Sequence, residues 1–167
     1  MTQLRGLIGI KEAGRWLALV LVLSLAGCSG RSPALPPLAP EAVILAFGDS
    51  LTRGTGAGPE ESYPAVLQRL TGRNVVNAGV PGELSAAGVE RLPALLEAHR
   101  PRLVILCHGG NDLLRKLGED QLERNLARMI ELARGAGAEV VLVGVPKASL
   151  LPGTAELYAR QIGRAHV

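Results

Sequence analysis

Three short apolar runs, each ending in glycine, constrain this chain more than any other feature. Val43-Ile44-Leu45-Ala46-Phe47 leads into Gly48-Asp49-Ser50, and Asn74-Val75-Val76-Asn77-Ala78 leads into Gly79. The third, Leu103-Val104-Ile105-Leu106-Cys107-His108, leads into Gly109-Gly110-Asn111-Asp112. Two of the runs are apolar almost throughout rather than alternating, the mark of strands buried on both faces of a parallel sheet. A fourth run, Glu139-Val140-Val141-Leu142-Val143-Gly144-Val145, is closed by Pro146.

Helical patterning separates these runs. Residues 121–133 place Leu122, Leu126, Met129, Ile130 and Ala133 on one helical face with charges opposite, and Gly135 and Gly137 stop the pattern. Ser62-Tyr63-Pro64 opens the first helix, while Pro93 is expected to break the second helical region into two pieces. Four strands and three crossovers predict one domain, an α/β/α sandwich of three layers on a parallel sheet of flavodoxin-like order. The last strand and helix of that order are expected to be missing, which leaves an open, aggregation-prone sheet edge. The chain has no internal repeats.

Right-handed crossovers point the carboxyl ends of all the strands the same way, so Ser50, Gly79 and Asn111 can converge on one crevice. Gly48 is read as the residue that lets the backbone turn sharply before Ser50. Cleavage of an ester by a serine creates an oxyanion, for which backbone N–H groups beside glycines and an asparagine amide are suitable donors. Taken singly, each of these residues serves equally well as a turn or a helix cap. Together they point to a nucleophile with its oxyanion hole.

Gly48-Asp49-Ser50-Leu51, Asn77-Ala78-Gly79 and Gly109-Gly110-Asn111-Asp112, in this order, resemble the first three sequence blocks of the SGNH (GDSL-type) hydrolases. Ser62-Tyr63-Pro64-Ala65-Val66-Leu67 and Arg91-Leu92-Pro93-Ala94-Leu95-Leu96 are similar to the bacterial arylesterase, thioesterase I and lysophospholipase group. The resemblance implies Ser50 as nucleophile, with the Ser50 and Gly79 N–H groups and the Asn111 side chain as oxyanion donors. It also implies Asp49 and Asp112 as supporting groups, and a serine esterase acting on carboxylic esters, thioesters or lysophospholipids. A carbohydrate O-deacetylase is the alternative within the family. From another class comes a non-catalytic envelope lipoprotein that keeps the fold.

The family's fourth block, an Asp-x-x-His pair, has no counterpart here, so the triad aspartate and histidine are expected to be absent. A serine without a base is a poor nucleophile at neutral pH. His166 has glycine, not aspartate, three residues before it. Residues 162–167 also match the translation of a common sequencing-library adapter and are read as read-through, to be left out of fold reasoning. His99 reads as a solvated helix-terminal residue. His108 reads as a hydrogen-bonded structural histidine, with a substitute base as the alternative. The chain as given is therefore expected to be nearly inactive.

At the other end, Arg5, Lys11 and Arg15 precede the apolar residues 16–27, too short for a bilayer span of about 20 residues but suited to a signal peptide. Leu25-Ala26-Gly27-Cys28 resembles a lipobox, which implies acylation of Cys28, and Ser29 in place of aspartate favours the outer membrane, facing the periplasm. The expected organisation is signal peptide 1–27, Pro-rich tether 28–41, hydrolase domain 42–161 and read-through 162–167. Removing Arg5, Lys11, Arg15 and Glu12 with the signal leaves 15 basic against 14 acidic residues. With that balance and 2% aromatic residues, nucleic-acid binding is not supported. Expected partners are a small ester or lysolipid and the membrane, with no metal or organic cofactor. Cys107 is then unpaired and reads as a small buried apolar residue.

Overall fold

The computed structural model describes residues 35–145 and 156–165, with side chains of the last helix described over 157–161. Strands β1 (Ile44–Gly48), β2 (Val75–Gly79), β3 (Leu103–Cys107) and β4 (Glu139–Leu142) form one parallel sheet in the order β2-β1-β3-β4. Gly48 stands opposite both Gly79 and Cys107, so three strands end at one level.

Helices α1 (Ser50–Arg53), α2 (Tyr63–Thr71), α3 (Ser85–His99), α4 (Gly110–Leu114), α5 (Glu119–Gly135) and α6 (Glu156–Ala165) complete the order. Side chains alternate across the sheet with the two-residue period of extended chain. Leu45, Phe47, Val104, Leu106, Val140 and Leu142 join one core with Leu92 and Leu96 of α3, Leu126 and Met129 of α5, and Leu157 and Tyr158 of α6. Ile44, Ala46, Val75 and Leu103 pack instead with Tyr63 and Leu67 of α2. Both faces are covered, and this is why β1 and β3 read as apolar runs rather than as alternation. The predicted stripe on α5 is buried at each named position: Leu122, Leu126, Met129, Ile130 and Ala133.

The structure departs from expectation in several places. α3 runs unbroken through Pro93. That proline is exposed, so the carbonyl it leaves without an N–H partner lies toward the wet side of the helix, while Leu92 and Leu96 hold the other side in the core. β4 ends at Leu142, not Val145: its register with β3 closes at Leu142 opposite Leu106, and one further bond, Val143 N–H to the Leu106 carbonyl at 2.8 Å, follows the ladder. α6 was not foreseen, and it buries Leu157, Tyr158 and Gln161 and continues across residues 162–165. The stretch read as a tether also does not stand clear where it is described. Arg73 donates to the Leu38 carbonyl at 2.7 Å, and Leu38 packs beside Tyr63 and Leu67.

Candidate active site

Ser50 opens α1 directly after β1. Asp49, buried, caps that helix by accepting the Leu51 N–H at 3.0 Å on Oδ1. The Gly54 and Thr55 N–H groups close the turn on the Ser50 carbonyl at 3.1 and 3.0 Å, so these bonds use its backbone and not its hydroxyl. Half-buried, Ser50 lines a cavity of about 260 Å³ together with Asp49, Leu51, Asn111, Leu113, Leu114 and Val145. The wall is mostly apolar, with Asp49, Ser50 and Asn111 as its polar side chains. Gly48 is needed for a reason other than the expected sharp turn. It is not among the glycines with positive φ, and a Cβ there would collide with the Cys107 carbonyl and the Thr52 hydroxyl.

Asn111 sits in the first turn of α4, and the cap of that helix is Gly109 at φ 105°, so Asn111 is not a capping residue. Its Nδ2 donates to Asp49 Oδ2 at 3.3 Å and to the Glu83 carbonyl at 3.1 Å. Asp49 therefore fixes the serine turn with one oxygen and the asparagine amide with the other. An arriving oxyanion would have to share an amide whose two hydrogens already have partners.

Gly79 ends β2 beside Gly48 but is not among the residues lining the cavity. Its N–H donates to Asn77 Oδ1 at 3.1 Å, and Asn77 Nδ2 donates to the Arg53 carbonyl at 3.4 Å. Thus Ser50, Asn111 and Asp49 are brought together, whereas Gly79 lies alongside with its donor occupied by its own strand. A Cβ at Gly79 would run into the Arg53 backbone nitrogen. Gly79→Ala should therefore push α1 off β2 and cost about 1–3 kcal/mol by overpacking, read as a lower urea midpoint at unchanged m-value. An unshifted midpoint would show that α1 yields freely.

Asp112 supports the site from behind. It accepts the Ser85 N–H at 2.9 Å and the Ser85 hydroxyl at 2.6 Å, tying α4 to the start of α3, and Asn125 of α5 donates to the same hydroxyl at 2.8 Å. Cys107 is buried; burial first, and then the Asp49 charge, push its thiol up to about 11 against a lowering bond from Thr52. It stays protonated at neutral pH and is a poor nucleophile.

His108 is fully buried and engaged on both ring nitrogens. Nδ1 accepts the Gly109 N–H at 3.0 Å, which leaves the proton on Nε2, 3.0 Å from Glu83 Oε2. The ring thus has no free lone pair with which to accept a proton from Ser50. Glu83 and Arg91 were not singled out as site residues in the sequence. Arg91 grips the Glu83 carboxylate with Nε at 2.7 Å and Nη2 at 2.6 Å. Burial raises the Glu83 carboxyl, but the hydrogen bonds from Arg91 and His108 outweigh it and hold it below its ordinary value. The one available signal was the run from Gly82 to Ser85 between β2 and α3, which carries an acid where a bare turn needs none. Among the described residues, no group of three His, Cys, Asp or Glu side chains could hold a metal ion.

A model of the GDSL-like Lipase/Acylhydrolase family matches residues 46–166, from the middle of β1 through α6. The chain belongs to this family. It is 43% identical over 107 residues to esterase TesA of Pseudomonas aeruginosa, covering 61% of this chain and 53% of that protein. Against thioesterase 1/protease 1/lysophospholipase L1 of Escherichia coli strain K12 it is 38% identical over 104 residues, or 61% of this chain and 50% of that protein. The crystal structure of AlinE4, an SGNH-hydrolase family esterase, superposes with a TM-score of 0.67 at 34% identity, covering 77% of this chain and 75% of that one. The chain spans about half the length of the two relatives compared by sequence. Its α/β fold with a four-stranded parallel sheet is that of the GDSL-like family.

Proposed function

We propose that Ser50 is the nucleophile of a serine ester hydrolase acting on carboxylic esters, thioesters or lysophospholipids. The observation that carries this reading is Ser50 and Asn111 on the wall of one apolar cavity, joined through Asp49. In the reaction, Ser50 Oγ bonds to the substrate carbonyl carbon as its proton passes to a base, and the carbonyl electron pair moves to oxygen. The Asn111 amide, the Ser50 N–H and, once released from Asn77 Oδ1, the Gly79 N–H stabilise that oxyanion. Its collapse expels the alcohol or thiol, which takes the proton. Water then repeats the sequence on the acyl-Ser50 ester and releases the acid. Leu51, Leu113, Leu114 and Val145 offer the acyl chain an apolar wall.

The substrate class is tested by rates on an aryl acetate, an acyl thioester, a lysophosphatidylcholine and an acetylated oligosaccharide. A version that supplies an Asp-x-x-His pair is used, with Ser50→Ala as control. Turnover of the first three that Ser50→Ala abolishes supports the reading, while turnover of the acetylated sugar alone would make the protein a deacetylase. A second reading, an envelope lipoprotein without catalysis, is favoured by one observation: both nitrogens of His108 are engaged.

The lipobox reading places the protein in the bacterial cell envelope, anchored by acylated Cys28, which lies outside the described residues. Labelled palmitate fed to expressing cells should enter the wild-type protein and disappear from Cys28→Ala. Equal labelling of both would remove the anchor.

A further inference from the structure

Arg91 is not among the residues lining the cavity, yet it is bonded to the strand that ends in Gly79 and to Glu83, whose carbonyl holds Asn111. Its Nη2 donates to the Ala78 carbonyl at 3.1 Å. That carbonyl and the Gly79 N–H belong to one peptide unit, and the described residues contain no cis peptide. In a trans peptide the C=O and N–H point in opposite directions, so a cation fixing the oxygen also fixes where the N–H is aimed. Polarisation by the guanidinium makes that N–H a stronger donor.

The same guanidinium reaches the other donor by a second route. It holds the Glu83 carboxylate in a fork, at 2.7 and 2.6 Å, and the Glu83 carbonyl in turn receives Asn111 Nδ2 at 3.1 Å. Planar, two-point pairing restrains orientation as well as distance. Arg91 is itself immobilised, with its guanidinium carbon 4.3 Å from the centre of the Phe47 ring on β1. His108 completes the clamp on Glu83 and joins it to the backbone of Gly109.

The geometry points to Arg91 as the positioning residue of the oxyanion hole, setting Gly79 through the Ala78 peptide and Asn111 through Glu83. The inference rests on the reading of Ser50 as nucleophile. Lysine cannot replace it: an ammonium can meet Glu83 or Ala78 but cannot present the fork that spans both.

The test uses Arg91→Lys and Arg91→Ala. In a version that supplies the Asp-x-x-His pair, each should lose about a hundredfold in kcat with KM nearly unchanged, the cost of small misplacement of catalytic groups. Guanidinium at a non-denaturing concentration should restore part of the Arg91→Ala rate, and methylammonium should not. In the 167-residue chain itself, the NMR signals of the Gly79 amide and the Asn111 side-chain amide should both move in Arg91→Lys. A kcat per folded molecule equal to wild type, or unmoved amide signals, overturns the positioning role. If Ser50→Ala stays active the nucleophile reading fails instead, and the amide signals still decide whether Arg91 orients these donors. Should Arg91→Ala not fold, Arg91→Lys carries both measurements.

Discussion

Expressed as its 167 residues, the chain will turn over p-nitrophenyl acetate barely above background, although Ser50 and Asn111 share one cavity. Three histidines are available in the sequence. His99 is the last residue of α3, at the opposite end of that helix from Ser85, which Asp112 holds beside the site. His108 is buried with both nitrogens engaged, and His166 is preceded by glycine where the paired aspartate belongs. Nucleophile, base and orienting acid act as a unit, so losing the base costs nearly as much as losing the triad, about 10⁶ in kcat in subtilisin. Ser50→Ala should therefore change the residual rate little. Supplying an Asp-x-x-His pair in a longer version should raise the rate by several orders of magnitude, and Ser50→Ala should then abolish it. Robust activity of the 167 residues that vanishes on His108→Ala would make His108 the base, and its bond to Glu83 would have to open during turnover.

The parallel sheet and its order were legible because buried strands and amphipathic helices leave different periods in the sequence. Leu45 and Phe47 on one face and Ile44 and Ala46 on the other make β1 apolar throughout, and so short a run closed by glycine suits a buried strand better than a helix. Ser50 and Asn111 were legible because strand ends in such a sheet collect on one edge. Pro93 misled, since its cost depends on which side of the helix loses the hydrogen bond, and that is a tertiary fact. α6 was missed because Leu157 and Tyr158 make too short an apolar pattern to stand out, and the Tyr158 hydroxyl bond to the His108 carbonyl at 2.7 Å joins residues fifty positions apart. Glu83 and Arg91 were hidden for a similar reason. A lone acid and a lone base eight positions apart read as solvated surface until the fold closes the fork between them.

In a version with a complete triad, Asn111→Ala should lower kcat by about a hundredfold to a thousandfold and leave KM nearly unchanged, as loss of one oxyanion donor does. The split follows from when the bond is made. In the resting site the Asn111 amide is held by Asp49 and the Glu83 carbonyl, so it contributes little to substrate affinity. Its bond to the substrate oxygen becomes strong only when that oxygen carries charge, which is after Ser50 has attacked. Asn111→Asp offers a sharper comparison at nearly the same volume. A carboxylate there would face Asp49, 3.3 Å from the present Nδ2, and would repel the oxyanion, so its kcat should fall below that of the alanine variant near neutral pH. If Asn111→Ala instead raises KM with kcat intact, Asn111 binds the ground-state substrate and the oxyanion is held by backbone N–H groups alone.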